Sequence, residues 1–386
     1  MRTPDEELDT IRQAGLWREL RHVQAVHGPR VTLDGREFLN FSSNDYLGLA
    51  QHPALAEAAR LAIDKFGTGS TASRLICGSL APHHDLEDCI ASLKHTEAAL
   101  AFATGYATAV GTLTALAGKN DILILDKLCH ASLVDGARLS GATIRVFPHN
   151  NLHRLEQLLQ GATAKIAPTG RIIVVTESVF SMDGDLAPLA EIIALKEHFG
   201  VLLLLDEAHA LGVLGPRGLG LADHLGLQNR VDLHMGTLGK GAGSSGGYLA
   251  ACRPFIDLLI NKARSFIYST APVPAQAAAA TAALQLISSD QGHTLRERLR
   301  TNLADLATLL GSAKPASAIV PIPCGTNESA LQAAETLRQA GLLVPAIRFP
   351  TVPRGQARLR LTLSAAHEPQ DVATLAAALN SLPRST

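Results

Sequence analysis

The run Val201-Leu202-Leu203-Leu204-Leu205-Asp206-Glu207-Ala208-His209 constrains this chain more than any other stretch. Its unbroken apolar residues suit a strand covered on both faces, as in a parallel sheet packed between helices. The run ends on an acid, and a histidine follows shortly after. Further along, Gly236-Thr237-Leu238-Gly239-Lys240-Gly241-Ala242-Gly243-Ser244-Ser245-Gly246-Gly247 sets one lysine among glycines and small hydroxyl residues. Glycines let a backbone approach a flat ligand closely. Singly, each residue has an ordinary reading: Lys240 as an exposed loop lysine, Asp206 as a helix cap, His209 as a satisfied core histidine. Jointly they supply an amine for an imine and an acid for a pyridinium nitrogen. These are the two groups that pyridoxal 5'-phosphate (PLP) asks of a protein, and PLP is the cofactor this pattern predicts.

The rest of the chain reads as a framework for such a site. Leu8, Ile11, Leu16, Leu20 and Val23 predict one amphipathic helix over 5–23. Asp34-Gly35 between two strand-like runs over 30–41 predicts a hairpin. A helix is expected over 53–66. The segment 67–74 that follows is glycine-containing but lacks the GK[ST] ending of a P-loop and any preceding strand. From position 82 helices alternate with short apolar strands near 98–102, 121–126, 142–147, 171–176, 201–206, 231–235 and 248–251. After the strand at 98–102, Gly105 and Tyr106 open a helix whose amides suit an anion such as the cofactor phosphate. The Tyr106 ring itself suits core packing equally well. His130 stands just past a strand end, where open α/β sheets bind ligands. Helices over 272–312, 327–340 and 369–381 and strands over 318–323, 342–347 and 358–363 predict a smaller α+β unit. The turn at 348–353 within it carries Arg348, suited to a carboxylate. The fold class expected is α/β, with a mostly parallel central sheet. Its division is an N-terminal segment 1–45, a large domain 46–280 and a small C-terminal domain 281–386.

Composition narrows the function classes. The 386 residues are long enough for a large core, and 47% hydrophobic against 18% charged residues describes a globular chain. A net charge of −1 leaves no electrostatic footprint for nucleic acid or an anionic membrane. The first residues do not resemble a signal peptide, and no apolar run is long enough to span a bilayer. Five scattered cysteines without a CxxC point to reduced thiols and a cytoplasmic location. No metal-ligand spacing occurs, so no metal is expected.

The segments 40–48, 176–185, 206–209, 236–240 and 348–353 resemble the α-oxoamine synthases, a fold-type I PLP family, and the resemblance covers nearly the whole chain. Phe349, where the family pattern has proline, and the less glycine-rich 69–74 depart from it. The resemblance implies that Lys240 binds the PLP aldehyde, Asp206 the ring nitrogen and His209 the ring hydroxyl. His130 would stack on the ring and contact substrate. The amides of Gly105 and Tyr106, with Thr237, would serve the phosphate, and Ser181 would line the cofactor. Arg21, Asn44, His130 and Thr351 would touch substrate, and Arg348 would hold the amino-acid carboxylate. Family members are homodimers with shared sites, so Thr270 would reach a neighbouring subunit's phosphate. The turn at 347–353 leans towards members of the biotin pathway, which join L-alanine to a pimeloyl thioester carried by coenzyme A or an acyl carrier protein. The alternatives are glycine with acetyl-CoA or succinyl-CoA, serine with a long acyl thioester, or a PLP-fold protein without catalytic activity.

Overall fold

The protein is described by a computed structural model over residues 2–383. Met1 and 384–386, the outer ends of the expected N- and C-terminal segments, lie outside the described residues. After an N-terminal helix come three short strands: β1 (Val23–His27), β2 (Arg30–Leu33) and β3 (Arg36–Asn40). Asp34 and Gly35 turn β2 into β3 with φ of 50° and 74°, the paired left-handed geometry for which Asp-Gly is favoured. Next come β4 (Ala98–Phe102), β5 (Ile122–Asp126), β6 (Thr143–Phe147), β7 (Ile172–Glu177), β8 (Leu202–Asp206), β9 (Leu233–Thr237) and β10 (Gly247–Ala251). They form one sheet in the order β4-β10-β9-β8-β7-β5-β6. β10 runs antiparallel to both neighbours, and every other adjacent pair is parallel. The last strands are β11 (Ile319–Gly325), β12 (Leu342–Leu343), β13 (Ala346–Ile347) and β14 (Ala357–Thr362).

The leucine run of β8 explains itself in this sheet. Leu204 packs into the cluster beneath helices Gly105–Leu116, Ala131–Ser140 and Arg253–Lys262. Leu203 and Leu205 face the opposite cluster, beneath helices Leu152–Thr163 and Leu189–His198. Each such side chain, fully buried, contributes about 1.5–3 kcal/mol.

Two expectations are corrected. The helix expected over 5–23 spans only Pro4–Gln13. A capping box between Thr3 and Glu6 starts it, and Gly15, at φ +67°, turns the chain away just beyond its end. Leu20 and Val23 are exposed, and Val23 begins β1 instead. The single strand expected over 342–347 is two. β12 pairs in parallel with β3 in the N-terminal sheet, and β13 pairs with β14 in the C-terminal one. Pro345 lies between them and accepts from the Arg360 amide instead of donating to a ladder.

Behind the β8 strand end lies a buried ion pair. Lys94, the last residue of helix Ala81–Lys94, donates to Glu207 Oε2 at 2.5 Å and to the Leu219 carbonyl. Glu207 Oε1 accepts from the Ala222 amide at 3.1 Å. Gly220, at φ +118°, is required here, because a Cβ would stand 2.2 Å from Glu207 Oε1. Burial pushes the Glu207 carboxyl up, but Lys94 foremost pulls it down, to about 2. The stability it contributes is present above its ordinary 4.5 and lost as pH falls towards 2. Lys94→Met leaves this carboxylate buried and unpaired. We expect it to cost about 3–5 kcal/mol in urea unfolding near neutral pH, with most of the loss recovered when Glu207→Gln is added.

Candidate active site

Four parallel strands, β5, β7, β8 and β9, bring their C-terminal ends to one edge of the sheet. Chain leaving these ends carries His130, Glu177, Asp206, His209, Thr237 and Lys240. β4 runs in the same sense, and helix Gly105–Leu116 follows it. Gly105, Tyr106 and the six residues just named line a cavity of about 170 Å³. The first amides of that helix have no intrahelical acceptor. Thr104 caps the helix through the Ala107 amide at 3.0 Å. Gly105 and Gly247 approach so closely that a Cβ on Gly247 would lie 2.8 Å from the Gly105 nitrogen.

A hydrogen-bonded chain leads away from the lysine. Lys240 Nζ is 2.7 Å from His209 Nε2, and His209 Nδ1 is 2.6 Å from the Tyr46 hydroxyl. Tyr46 donates to Asn44 Oδ1 at 3.1 Å, and Arg360 Nη2 donates to the same oxygen at 3.2 Å. Since Tyr46 spends its proton on Asn44, it accepts from His209 Nδ1–H. His209 Nε2 is then the acceptor for the Lys240 amine.

Desolvation governs the charges. Burial lowers Lys240 below its ordinary value, with Asp206 and then Glu177 pulling it back up. Burial lowers His209 well below the usual range, and Lys240 adds to the effect. His130 is lowered for the same two reasons. Burial raises Asp206, while Lys240 favours its ionised form. Burial also raises Tyr46, to about 12. Both histidines are thus neutral near pH 7, beside an amine whose basicity is reduced.

The other expected residues lie at different places. Ser181 and Thr351 line an adjoining cavity of about 580 Å³, with His130 on the wall of both. Asn44 meets the site through Tyr46. Arg21 and Arg348 line a groove of about 870 Å³ beside the N-terminal segment. The Arg348 guanidinium is engaged there by the Gly15 and Trp17 carbonyls, at 2.8 and 3.2 Å. Thr270 is exposed and bridges to Ser73, away from the cavity.

Residue reading missed Arg360, Glu177 and Tyr46. Arg360 is only 5% exposed and donates from Nε to the Ser181 carbonyl at 2.6 Å. Among the described residues no carboxylate lies within 4.0 Å of it. A buried guanidinium without an anion is suited to bind one. A signal was available in Arg358-Leu359-Arg360-Leu361, where two arginines alternate with leucines along a strand.

A sequence model described as aminotransferase class I and II matches residues 36–379. The chain belongs to the aminotransferase class I and II family. Among its relatives in this family, an 8-amino-7-oxononanoate synthase of Pelobacter propionicus is 47% identical over 96% of this chain and 95% of its own length. Among solved structures, a serine palmitoyltransferase variant from S. paucimobilis with bound PLP–myriocin aldimine superposes with a TM-score of 0.90 at 29% identity, covering 97% of this chain and 95% of its own. An 8-amino-7-oxononanoate synthase from Francisella tularensis superposes with a TM-score of 0.74 at 26% identity, covering 89% and 96%.

Residues at the edge of this sheet fit PLP by their chemistry: a half-buried amine, a buried acid in the same cavity, and a glycine-lined helix start for a phosphate. The His209–Tyr46 contact aligns that amine. Tyr46→Phe removes the acceptor of a buried His209 N–H, and we expect a loss of about 1–3 kcal/mol in chemical unfolding. Unchanged stability would contradict the Tyr46–His209 hydrogen bond.

Proposed function

We propose that this protein is a PLP-dependent acyltransferase that condenses L-alanine with a pimeloyl thioester. The products are 8-amino-7-oxononanoate, CO2 and the free thiol, a step of biotin biosynthesis. The observation that carries the PLP reading is the enclosure of Lys240 and Asp206 in one cavity. The substrates rest on the relatives named for that product, 44–48% identical over 95–98% of this chain. The serine palmitoyltransferase has the higher TM-score of the two solved structures, yet identity to it is 29%. Backbone likeness reports an architecture that hosts several acyl transfers, so sequence identity carries the choice.

When bound, PLP supplies an electron sink that stabilises negative charge at the substrate Cα. Lys240 would hold the cofactor aldehyde, and its amine is placed to remove and return the Cα proton of alanine. Burial favours the uncharged amine that this task needs. Asp206 offers a negative charge to a protonated ring nitrogen, and His209, neutral, serves the ring hydroxyl. Amides of Gly105 and Tyr106, with Thr237, would hold the phosphate, Ser181 would line the cofactor, and His130 would meet the ring and the substrate. We assign the alanine carboxylate to Arg360 in place of Arg348, because Arg360 is buried and linked through Asn44, Tyr46 and His209 to Lys240, whereas Arg348 is engaged by the Gly15 and Trp17 carbonyls. Arg348 keeps the groove it shares with Arg21, on the route of the thioester and its carrier, coenzyme A or an acyl carrier protein. Thr351 lines the adjoining cavity, where the acyl chain lies.

Two copies of the chain are proposed to pair over the exposed Thr270 loop. Ile76 is 80% exposed and Tyr268 71% exposed beside it, and Thr270 would complete the neighbour's phosphate site.

The test is product analysis of purified protein loaded with PLP, offering alanine, glycine and serine against pimeloyl, acetyl, succinyl and palmitoyl thioesters. We expect turnover with alanine and pimeloyl thioester only. Glycine with acetyl-CoA as the preferred pair would replace this reading, and a colourless protein after PLP addition would end it. Arg360→Gln is expected to raise the alanine KM by about 10-fold or more, the loss of a charge-assisted carboxylate contact. The same change at Arg348 should have a smaller effect on that constant.

A further inference from the structure

Glu177 has no part in the roles assigned above, yet it is 1% exposed. It ends β7, where parallel register with β8 sets it beside Asp206. It lines the same cavity as Lys240. Among the described residues no Lys, Arg or His side-chain nitrogen lies within 4.0 Å of its carboxylate, so it is not held there by an ion pair. Its Oε1 instead accepts the backbone N–H of His130 at 2.5 Å.

The His130 ring is held separately. His130 caps helix Ala131–Ser140, and its Nδ1 accepts the Ser132 amide at 3.2 Å, with Ser132 Oγ 2.8 Å away. An accepting Nδ1 carries no proton, so the proton of the neutral ring is on Nε2. The backbone is therefore tied to β7 and the ring to its own helix. What remains is the common placement of both, which β7 sets at His130 itself through the Glu177 oxygen, beside the Cys129 thiol on the Val175 carbonyl at 3.4 Å.

We propose that Glu177 is the positioning residue for His130, its carboxyl oxygen setting where the imidazole lies over the cofactor. This rests on the PLP reading given above. Burial, and then the neighbouring Asp206, push the Glu177 carboxyl well above the usual range. It works as a neutral acceptor, and Asp206 provides the only negative charge that the ring nitrogen requires.

The experiment uses the PLP-loaded protein and follows the exchange of the L-alanine Cα proton for deuterium in D2O, which needs no thioester. Visible circular dichroism of the bound PLP is recorded alongside, as a report of ring placement. Glu177→Leu removes the acceptor and should slow exchange by about 100-fold, the effect of misplacing a contacting group. It should weaken the dichroic band while PLP affinity changes by less than about threefold. Glu177→Gln keeps an accepting oxygen without a charge, and should recover most of what Glu177→Leu loses. In a His130→Ala background, Glu177→Leu should add less than about twofold, because both changes act through one ring.

Equal damage from Glu177→Gln and Glu177→Leu would assign the charge, not the acceptor, and overturn the proposal. A full effect of Glu177→Leu in the His130→Ala background would overturn it as well. Wild-type protein that exchanges alanine but rejects every pimeloyl thioester would sink the assigned substrate and leave the Glu177 result standing. Wild-type protein with no visible PLP band would sink both.

Discussion

Parallel register at one edge of the sheet is the constraint on which this structure depends. Only because β5, β7, β8 and β9 run in the same sense do residues far apart in the chain leave the sheet at the same place. Burying two acids and a histidine beside a half-buried amine costs desolvation energy that must be offset around them. The offsets are built one layer away. Lys94 neutralises Glu207 directly behind Asp206. Arg74 grips Glu87 with two hydrogen bonds, at 2.8 and 2.9 Å, and Glu87 accepts the Ala101 amide of β4. The ionic compensation is structural, and the cavity groups are free to keep shifted proton affinities.

The site draws on both ends of the chain. Asn44 and Arg360 meet across a sequence separation of 316 residues. They do so because the loop after β3 and the strand β14 are joined by backbone and side-chain bonds, among them the Thr362 amide and hydroxyl on the Phe41 carbonyl. A polar path thus runs from Arg360 through Asn44, Tyr46 and His209 to Lys240. It connects the cation assigned to the substrate carboxylate with the amine assigned to the Cα proton. A shift of β14 relative to the large sheet would be felt at the reacting end through four hydrogen bonds and no flexible linker.

The pattern of residues made some of this legible and hid the rest for identifiable reasons. Asp206 and Lys240 stood out because strand burial and glycine company are local properties. The start of the N-terminal helix was legible, but its length was not. Apolar spacing at Leu16, Leu20 and Val23 continued past a glycine that ends the helical course in space. The strand expected over 342–347 failed on partners: Leu342 and Ala346 pair with different sheets, which spacing cannot express. Arg348 attracted the carboxylate role from its rigid turn, and the fold engages it with the carbonyls of Gly15 and Trp17.

By itself the sequence determined the covered parallel sheet, the hairpin at Asp34-Gly35 and the pairing of an amine with an acid. Each follows from short-range periodicity, turn chemistry or side-chain identity. Tertiary structure alone decided which arginine is buried beside Asn44, which histidine nitrogen carries the proton, and that Glu177 stands beside Asp206. Those are matters of distance and dielectric between segments remote in the chain. Neither quantity exists until the sheet has closed around them.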